Sequence, residues 1–359
     1  MGESLSSESP LKLKLVQVLR GIAACMVVIF HAQGMAINYV GSESFSGRIM
    51  GNLGGYGVDL FFVISGFIIR YAQPAAGYSA GSFARRRLQR VVPIYWLLTA
   101  VMLLAWLALP GLYRGAFPEL SQIIRSFLFV AFLEGETPVI YVGWSLEYEM
   151  LFYGVTALLL LGKMNGKLWT VICAGFSALA MVGGLLSLTN IDASNYPAVR
   201  FFTSSLLLEF ALGVLIAEFF LKQRIAWLPA AFVVFALVLV AIARPTDRAV
   251  LYGTSSAIVL TIALHAENMR NWKAPAFLVR LGDASYSIYL VQVFALSATA
   301  KLVLRLIPTV SADAFVLAVA AVSVAAGYAF FIMVESPLTR YLVLRSRRRE
   351  IPLPVSKLS

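Results

Sequence analysis

The chain has 359 residues, 60% of them hydrophobic and only 13% charged, with a net charge of +11. Soluble proteins are about half apolar and a quarter charged, so this composition, with a mean hydropathy of +0.82, excludes an ordinary soluble enzyme and points to an all-α, polytopic integral membrane protein. Two cysteines, Cys25 and Cys173, and two histidines, His31 and His265, are too few for a disulfide framework and argue against a resident metal.

In chain order, the polar start MGESLSSESPLKLK (1–14) reads as a cytoplasmic N-terminal segment. It runs into an apolar stretch too long for a signal-peptide core and without an A-x-A cleavage site, so the first helix is expected to remain as an anchor. Runs of about 20 apolar residues predict transmembrane helices. They lie at 15–37, 56–73, 91–110, 143–162, 168–188, 199–221, 225–243, 249–266, 284–305 and 311–334. Segment 119–133 is apolar but short and carries Arg125; it reads as an interfacial or re-entrant helix. Residues 15–334 thus form one integral domain, and 335–359 a basic cytoplasmic tail.

Ten spans put both termini on one side of the bilayer. If that side is cytoplasmic, nineteen Lys and Arg face it: Lys12, Lys14, Arg85, Arg86, Arg87, Arg90, Lys163, Lys167, Lys222, Arg224, Arg270, Lys273, Arg280 and six in the tail. Eight face the other side: Arg48, Arg114, Arg125, Arg200, Arg244, Arg248, Lys301 and Arg305. This follows the positive-inside rule. The basic charge is therefore a topology signal, and its spread over membrane loops excludes nucleic acid as the expected partner.

The first span, LVQVLRGIAACMVVIFHAQG, carries Arg20 and His31. Eleven helical residues advance about three turns plus 20° and about 16 Å, so both side chains emerge on one face. Either residue alone fits a bland role: Arg20 as a snorkelling anchor, His31 as a helix–helix contact. Together they suggest a wet interior, and His suits proton transfer near neutral pH. In GGYGVDLFFVISGFII (54–69), Asp59 is costly unless paired or hydrated, or caps the helix at the interface, and Ser65 follows six residues on. In SFARRRLQRVVPIYW (82–96), Arg86 and Arg90 share a helix face with Arg87 beside them, a pattern suited to phosphates as well as to the positive-inside signal. In VGWSLEYEMLFY (142–153), Glu147 and Glu149 cannot share a face. RLGDASYSIYLVQ (280–292) contains Tyr286 and ends on Gln292, and ESPLTR (335–340) places Glu335 before a helix-ending Pro337. His265 reads as structural.

Together these motifs resemble the acyltransferase 3 family of membrane acyltransferases, and within it the members that acetylate exopolysaccharide. Arg20 and His31 fit that family's Arg-x10-His signature. The remaining matches, in order, are GVDLFFVISGF (57–67), R-R-x-x-R-x-x-P-x-Y-W (86–96), W-S-L-x-x-E-x-x-F-Y (144–153), L-G-x-x-S-Y-S-x-Y-L (281–290) and the terminal E-S-P. The W-S-L-x-x-E spacing selects Glu149 over Glu147. Many members have His where this chain has Gln292, which cannot titrate.

The resemblance implies acyl transfer, commonly of acetyl, from cytoplasmic acyl-CoA to a sugar hydroxyl of an exopolysaccharide or its lipid-linked precursor in the bacterial inner membrane. His31 and Glu149 would be catalytic, and Arg20, Arg86, Arg87 and Arg90 would hold the donor. Asp59, Ser65, Tyr286 and Gln292 would support them. Acyl-CoA would act as a co-substrate rather than a tightly bound cofactor. The expected partners are the lipid bilayer, acyl-CoA, a saccharide acceptor and polysaccharide-synthesis machinery. Competing readings are a flippase for a lipid-linked sugar, disfavoured because no inverted repeat is visible, and a non-catalytic partner in polysaccharide export.

Overall fold

The structure, a computed structural model, describes residues 13–45, 47, 53–73, 79–110, 116–164, 166–189, 195–221, 227–268 and 274–350; at 53, 54, 227–229 and 346–350 it describes the backbone alone. Most of the predicted N-terminal segment, the tail beyond residue 350, and Lys12, Arg48, Arg114, Lys222, Arg224, Arg270, Lys273 and Lys357 lie outside the described residues. Among the described residues the protein is helical and has no strand.

Helix α1 (Lys14–Val40) is followed by α2 (Leu53–Tyr71), α3 (Ala80–Ala108) and the short α4 (Leu120–Phe127). After two 3₁₀ turns come α5 (Trp144–Leu161), α6 (Leu168–Leu188), α7 (Pro197–Phe202), α8 (Leu207–Phe220) and α9 (Trp227–Ala243). Helices α10 (Thr254–Asn268), α11 (Ala276–Asp283), α12 (Ser285–Leu306), α13 (Ala312–Phe330) and α14 (Ser336–Glu350) complete the chain.

Seven helical stretches among the described residues are long and apolar enough to cross a membrane: Lys14–Val40, Ala80–Ala108, Leu168–Leu188, Pro197–Phe220, Ala249–Asn268, Ser285–Leu306 and Ala312–Arg345. The other three predicted spans coincide with helices of 19, 18 and 17 residues (α2, α5 and α9) that fall outside this set. The first two each carry two charged side chains, Asp59 with Arg70 and Glu147 with Glu149, and the third is short.

One span expected to be a single helix is broken, and two others contain a π-helical turn. Residues 199–221 divide into α7 and α8. A π-helical turn at Ala249–Gly253 opens α10, and a second at Phe331–Glu335 joins α13 to α14. Pro337 therefore does not end the helix: it follows the π turn that joins α13 to α14, and the helix continues beyond it. Segment 119–133 contains α4, whose Arg125 forms a two-point ion pair with Glu136 at 2.8 and 3.1 Å.

Apolar side chains such as Leu104, Leu158, Phe235 and Leu317 are exposed on the outside, where lipid replaces water as the solvent. Inside, Phe62, Phe152, Phe176 and Phe210 pack ring against ring, tilted or edge-on, between α2, α5, α6 and α8. Between membrane helices close contact replaces hydrophobic drive, and small residues permit it. Helices α2 and α8 use reciprocal glycines: a Cβ on Gly66 would lie 2.2 Å from the Phe210 carbonyl oxygen, and one on Gly213 2.0 Å from that of Val63. The start of α1 meets the end of α11 in the same way, because a Cβ on Gly282 would lie 1.8 Å from the Gln17 carbonyl oxygen. The first backbone amides of α1, at Lys14 and Leu15, donate to the Glu267 carboxylate at 3.1 and 2.5 Å, which suits the positive helix end.

Gly213→Ala should force α2 and α8 apart and lower the thermal unfolding midpoint of the purified protein, with an overpacking cost of about 1–3 kcal/mol. Gly175→Ala, whose added Cβ would meet nothing within 4 Å, should not lower the midpoint, since Ala favours a helix interior over Gly.

Candidate active site

Burying a polar side chain in an apolar bundle is costly unless it finds a partner. The polar face of α1 finds its partners on α12. Arg20 donates from Nη2 to Ser285 Oγ at 2.9 Å and from Nη1 to Gln17 Oε1 at 3.0 Å. His31 Nδ1 lies 3.1 Å from Gln292 Oε1. Ser285 and Gln292 are seven residues apart, two turns along one helix face, so two polar positions on α1 meet two on α12.

The Gln292 carboxamide also sets the histidine tautomer. Its Nε2 donates to the Tyr289 carbonyl at 2.8 Å, which turns Oε1 toward His31. An amide oxygen only accepts, so Nδ1 carries the proton and Nε2 keeps a free lone pair in the neutral ring. Phe30 and Tyr141 pack edge-on to the imidazole at centroid distances of 5.4 and 5.2 Å.

At the other end of this contact lies a cavity of about 90 Å³ whose lining includes Arg20, Ser65, Arg87, Arg90, Glu149 and Tyr286. Three guanidinium groups thus share its wall with one carboxylate. Glu149 accepts from the Tyr153 hydroxyl and, at 3.3 Å, from Ser65 Oγ. Arg87 lies 5.8 Å from both the Phe83 and Tyr153 rings, which hold the charge against aromatic faces. The Tyr286 hydroxyl donates to the Val91 carbonyl at 2.7 Å and ties α12 to α3. The charges acting on Arg20 are Arg90, of like sign, and the carboxyls of Glu149, Glu335 and Asp283.

Arg86 does not line this cavity. It is exposed, and its Nη2 lies 3.3 Å from Ser82 Oγ. The inward sector of α3 is marked by buried Phe83, Val91 and Ile94; at 100° per residue Arg87 falls within it, Arg90 lies about 20° beyond its edge and Arg86 about 60° beyond.

The two acids of α5 separate as their spacing requires. Glu147 is buried and accepts the Ala131 backbone N–H at 2.7 Å. It fastens the turn at 128–135, in which Phe129 adopts φ 60° with its ring against Tyr95. Glu149 faces the arginines. It makes no hydrogen bond to His31, whose partner is Gln292.

Asp59 belongs to neither cavity. It is fully buried and accepts from Arg248 Nη2 at 2.8 Å, so it is a paired interior charge rather than an interfacial cap. Glu209, also fully buried, adjoins it. Sequence reasoning missed Arg248 and Glu209 as its partners, although an acid inside a span such as 199–221 is itself a signal. It likewise missed Ser285, the partner of Arg20, which lies in the quoted SYSIYL run. Among the described residues no three His, Cys, Asp or Glu side chains gather as metal ligands would.

His31 opens on a second cavity, of about 520 Å³, which shares no lining residue with the first. One turn of α12 divides them: Tyr289 lines the arginine cavity, and Gln292 holds His31.

The family model described as an acyltransferase domain matches residues 14–333, which include every residue of both cavities. The chain belongs to the acyltransferase 3 family. The exopolysaccharide production protein ExoZ of Rhizobium meliloti (strain 1021) is 34% identical over 309 residues, covering 83% of this chain and 92% of that protein. The acyltransferase MdmB of Streptomyces mycarofaciens is 29% identical over 343 residues, covering 83% and 84%. No solved structure matches the chain. With its apolar helices, this membership makes the protein a multi-pass membrane acyltransferase related to an exopolysaccharide production protein.

Replacing Glu147 by Leu should orphan the buried Ala131 amide, at a cost of about 1–3 kcal/mol, and lower the thermal midpoint. Glu149→Gln should leave the midpoint near that of the unaltered protein.

Proposed function

We propose that this acyltransferase moves an acyl group, commonly acetyl, from cytoplasmic acyl-CoA to a sugar hydroxyl of an exopolysaccharide or its lipid-linked precursor in the bacterial inner membrane. The observation that carries the reading is the α1–α12 contact. It ties a guanidinium beside an arginine-walled cavity to a histidine whose Nε2 is free to take a proton. In this reading the chain spans the membrane ten times with both termini cytoplasmic, and the loop charge bias supports that orientation.

Arg87 and Arg90 meet the donor phosphates, for which charged, multi-donor guanidinium groups are suited. Arg20 guides the acyl end inward. At the dividing turn of α12 the acceptor oxygen attacks the thioester carbonyl carbon while His31 Nε2 takes the hydroxyl proton. The C–S bond then breaks, and the proton passes from the imidazolium to the departing thiolate. Gln292 holds Nδ1–H throughout, the orienting role that a general base needs and that a non-titrating side chain fills. Glu149, with Ser65 and Tyr153, orders the donor side.

His31→Ala should lower kcat/KM for acetyl transfer at least about 10²-fold, the lower range for a lost general base, while radiolabelled acetyl-CoA still binds. Arg87→Ala and Arg90→Ala should each raise the KM for acetyl-CoA about tenfold, as the loss of one charge-assisted hydrogen bond allows. Retained transfer in the histidine variant would overturn the assignment. A reporter fused after Ser359 should be active only in its cytoplasmic form; an extracytoplasmic signal would overturn the topology.

A further inference from the structure

The imidazole of His31 is held from two elements that lie far apart in the chain. From α12, the Gln292 carboxamide meets Nδ1 at 3.1 Å. From the 3₁₀ turn Tyr141–Gly143, which leads into α5, the Tyr141 ring packs edge-on to the imidazole at 5.2 Å. The ring keeps its place only while α12 and this turn keep theirs relative to each other.

Three polar groups supply that tie. The Tyr289 hydroxyl, on α12, donates to the carbonyl of Val142, the neighbour of Tyr141, at 2.9 Å. With its proton so used, it accepts from Ser145 Oγ, in the first turn of α5, at 2.7 Å. Ser145 Oγ lies farther, 3.2 Å, from the Val142 carbonyl. Both side chains are buried, where a hydrogen bond is stronger than in water. The Tyr289 backbone carbonyl in turn accepts from Gln292 Nε2 at 2.8 Å. One residue therefore grips the turn with its side chain and the partner of the histidine with its main chain.

We infer that Tyr289 is a positioning residue for His31, with Ser145 as its partner: their clasp fixes α12 against the turn before α5, and so fixes both contacts between which the imidazole is held. The expected effect on rate rests on the acyl-transfer reading above; the expected effect on the imidazole does not. Tyr289 and Ser145 also line the arginine cavity, so the rival is a direct contact with the donor.

The test uses the full chain purified in detergent. Tyr289→Phe removes both bonds between the two elements but orphans no group, because Ser145 Oγ can donate to the Val142 carbonyl instead. Ser145→Ala leaves the Tyr289–Val142 bond in place. Tyr289→Phe should therefore lower kcat for acetyl transfer about tenfold, as a misplaced reacting group does. Ser145→Ala, which loses one neutral hydrogen bond, should lower it no more than about threefold. The Kd for radiolabelled acetyl-CoA should be unchanged in both. In the His31→Ala protein, Tyr289→Phe should cause no further loss, because the two residues act through one interaction.

A second measurement needs no turnover. The chain has two histidines. After labelling with ¹⁵N-histidine, the ring-nitrogen signals missing from His31→Ala belong to His31. These should shift or broaden in Tyr289→Phe, while those of His265, exposed on α10, should stay. Unchanged His31 signals, a weakened acetyl-CoA affinity, or an undiminished effect of Tyr289→Phe without His31 would overturn the inference. So would an unchanged kcat in Tyr289→Phe where transfer depends on His31. Altered His31 signals in a protein whose transfer survives His31→Ala would uphold the clasp and count instead against the acyl-transfer reading.

Discussion

The cost of burying polar groups among apolar helices organises this protein. Arg20 and His31 can lie on one face of α1 because α12 offers Ser285 and Gln292 on a matching face two turns long. That contact decides which way α1 faces and where the arginine-walled cavity ends. Through the Tyr289 carbonyl and the Gln292 amide, it also decides which imidazole nitrogen is free. A single non-titrating side chain thereby connects the packing of two helices to the protonation pattern of a histidine.

Close helix packing keeps this geometry in place. The contact of Gly282 with the Gln17 carbonyl brings the end of α11 against the start of α1, immediately before Ser285. The α2–α8 glycine pair brings Ser65 into the wall that Glu149 faces. Glu147 fixes the entry to α5 by holding the 128–135 turn. Adjacent positions in one motif thus serve different ends: Glu147 maintains the frame, and Glu149 meets the cavity. The Asp59–Arg248 pair, with Glu209 beside it, is a separate interior charge cluster outside both cavities.

Much of this architecture was legible beforehand. Apolar run length located the helices, because a membrane helix must satisfy its backbone within itself and reach across hydrocarbon. It did not locate the break between α7 and α8 or the two π turns, which reflect packing rather than apolarity. Helical spacing placed Arg20 and His31 together, since 3.6 residues per turn is local geometry. It grouped Arg86 with Arg90, but the inward sector of α3 is set by neighbouring helices, and it excludes Arg86. The pairing of His31 with Gln292 and of Asp59 with Arg248 joins residues 261 and 189 positions apart, beyond the reach of any local pattern.

The sequence by itself determined a multi-helical membrane protein, its family through six ordered motifs, and the shared face of Arg20 and His31, because composition and helical period act locally along one chain. Only the tertiary structure decided that Gln292 rather than Glu149 holds the histidine, that two separate cavities lie on either side of one turn of α12, and that the Tyr289 hydroxyl ties this turn to the entry of α5. Those outcomes depend on which faces of distant helices meet, and each buried polar group takes its partner from whatever packing brings within reach.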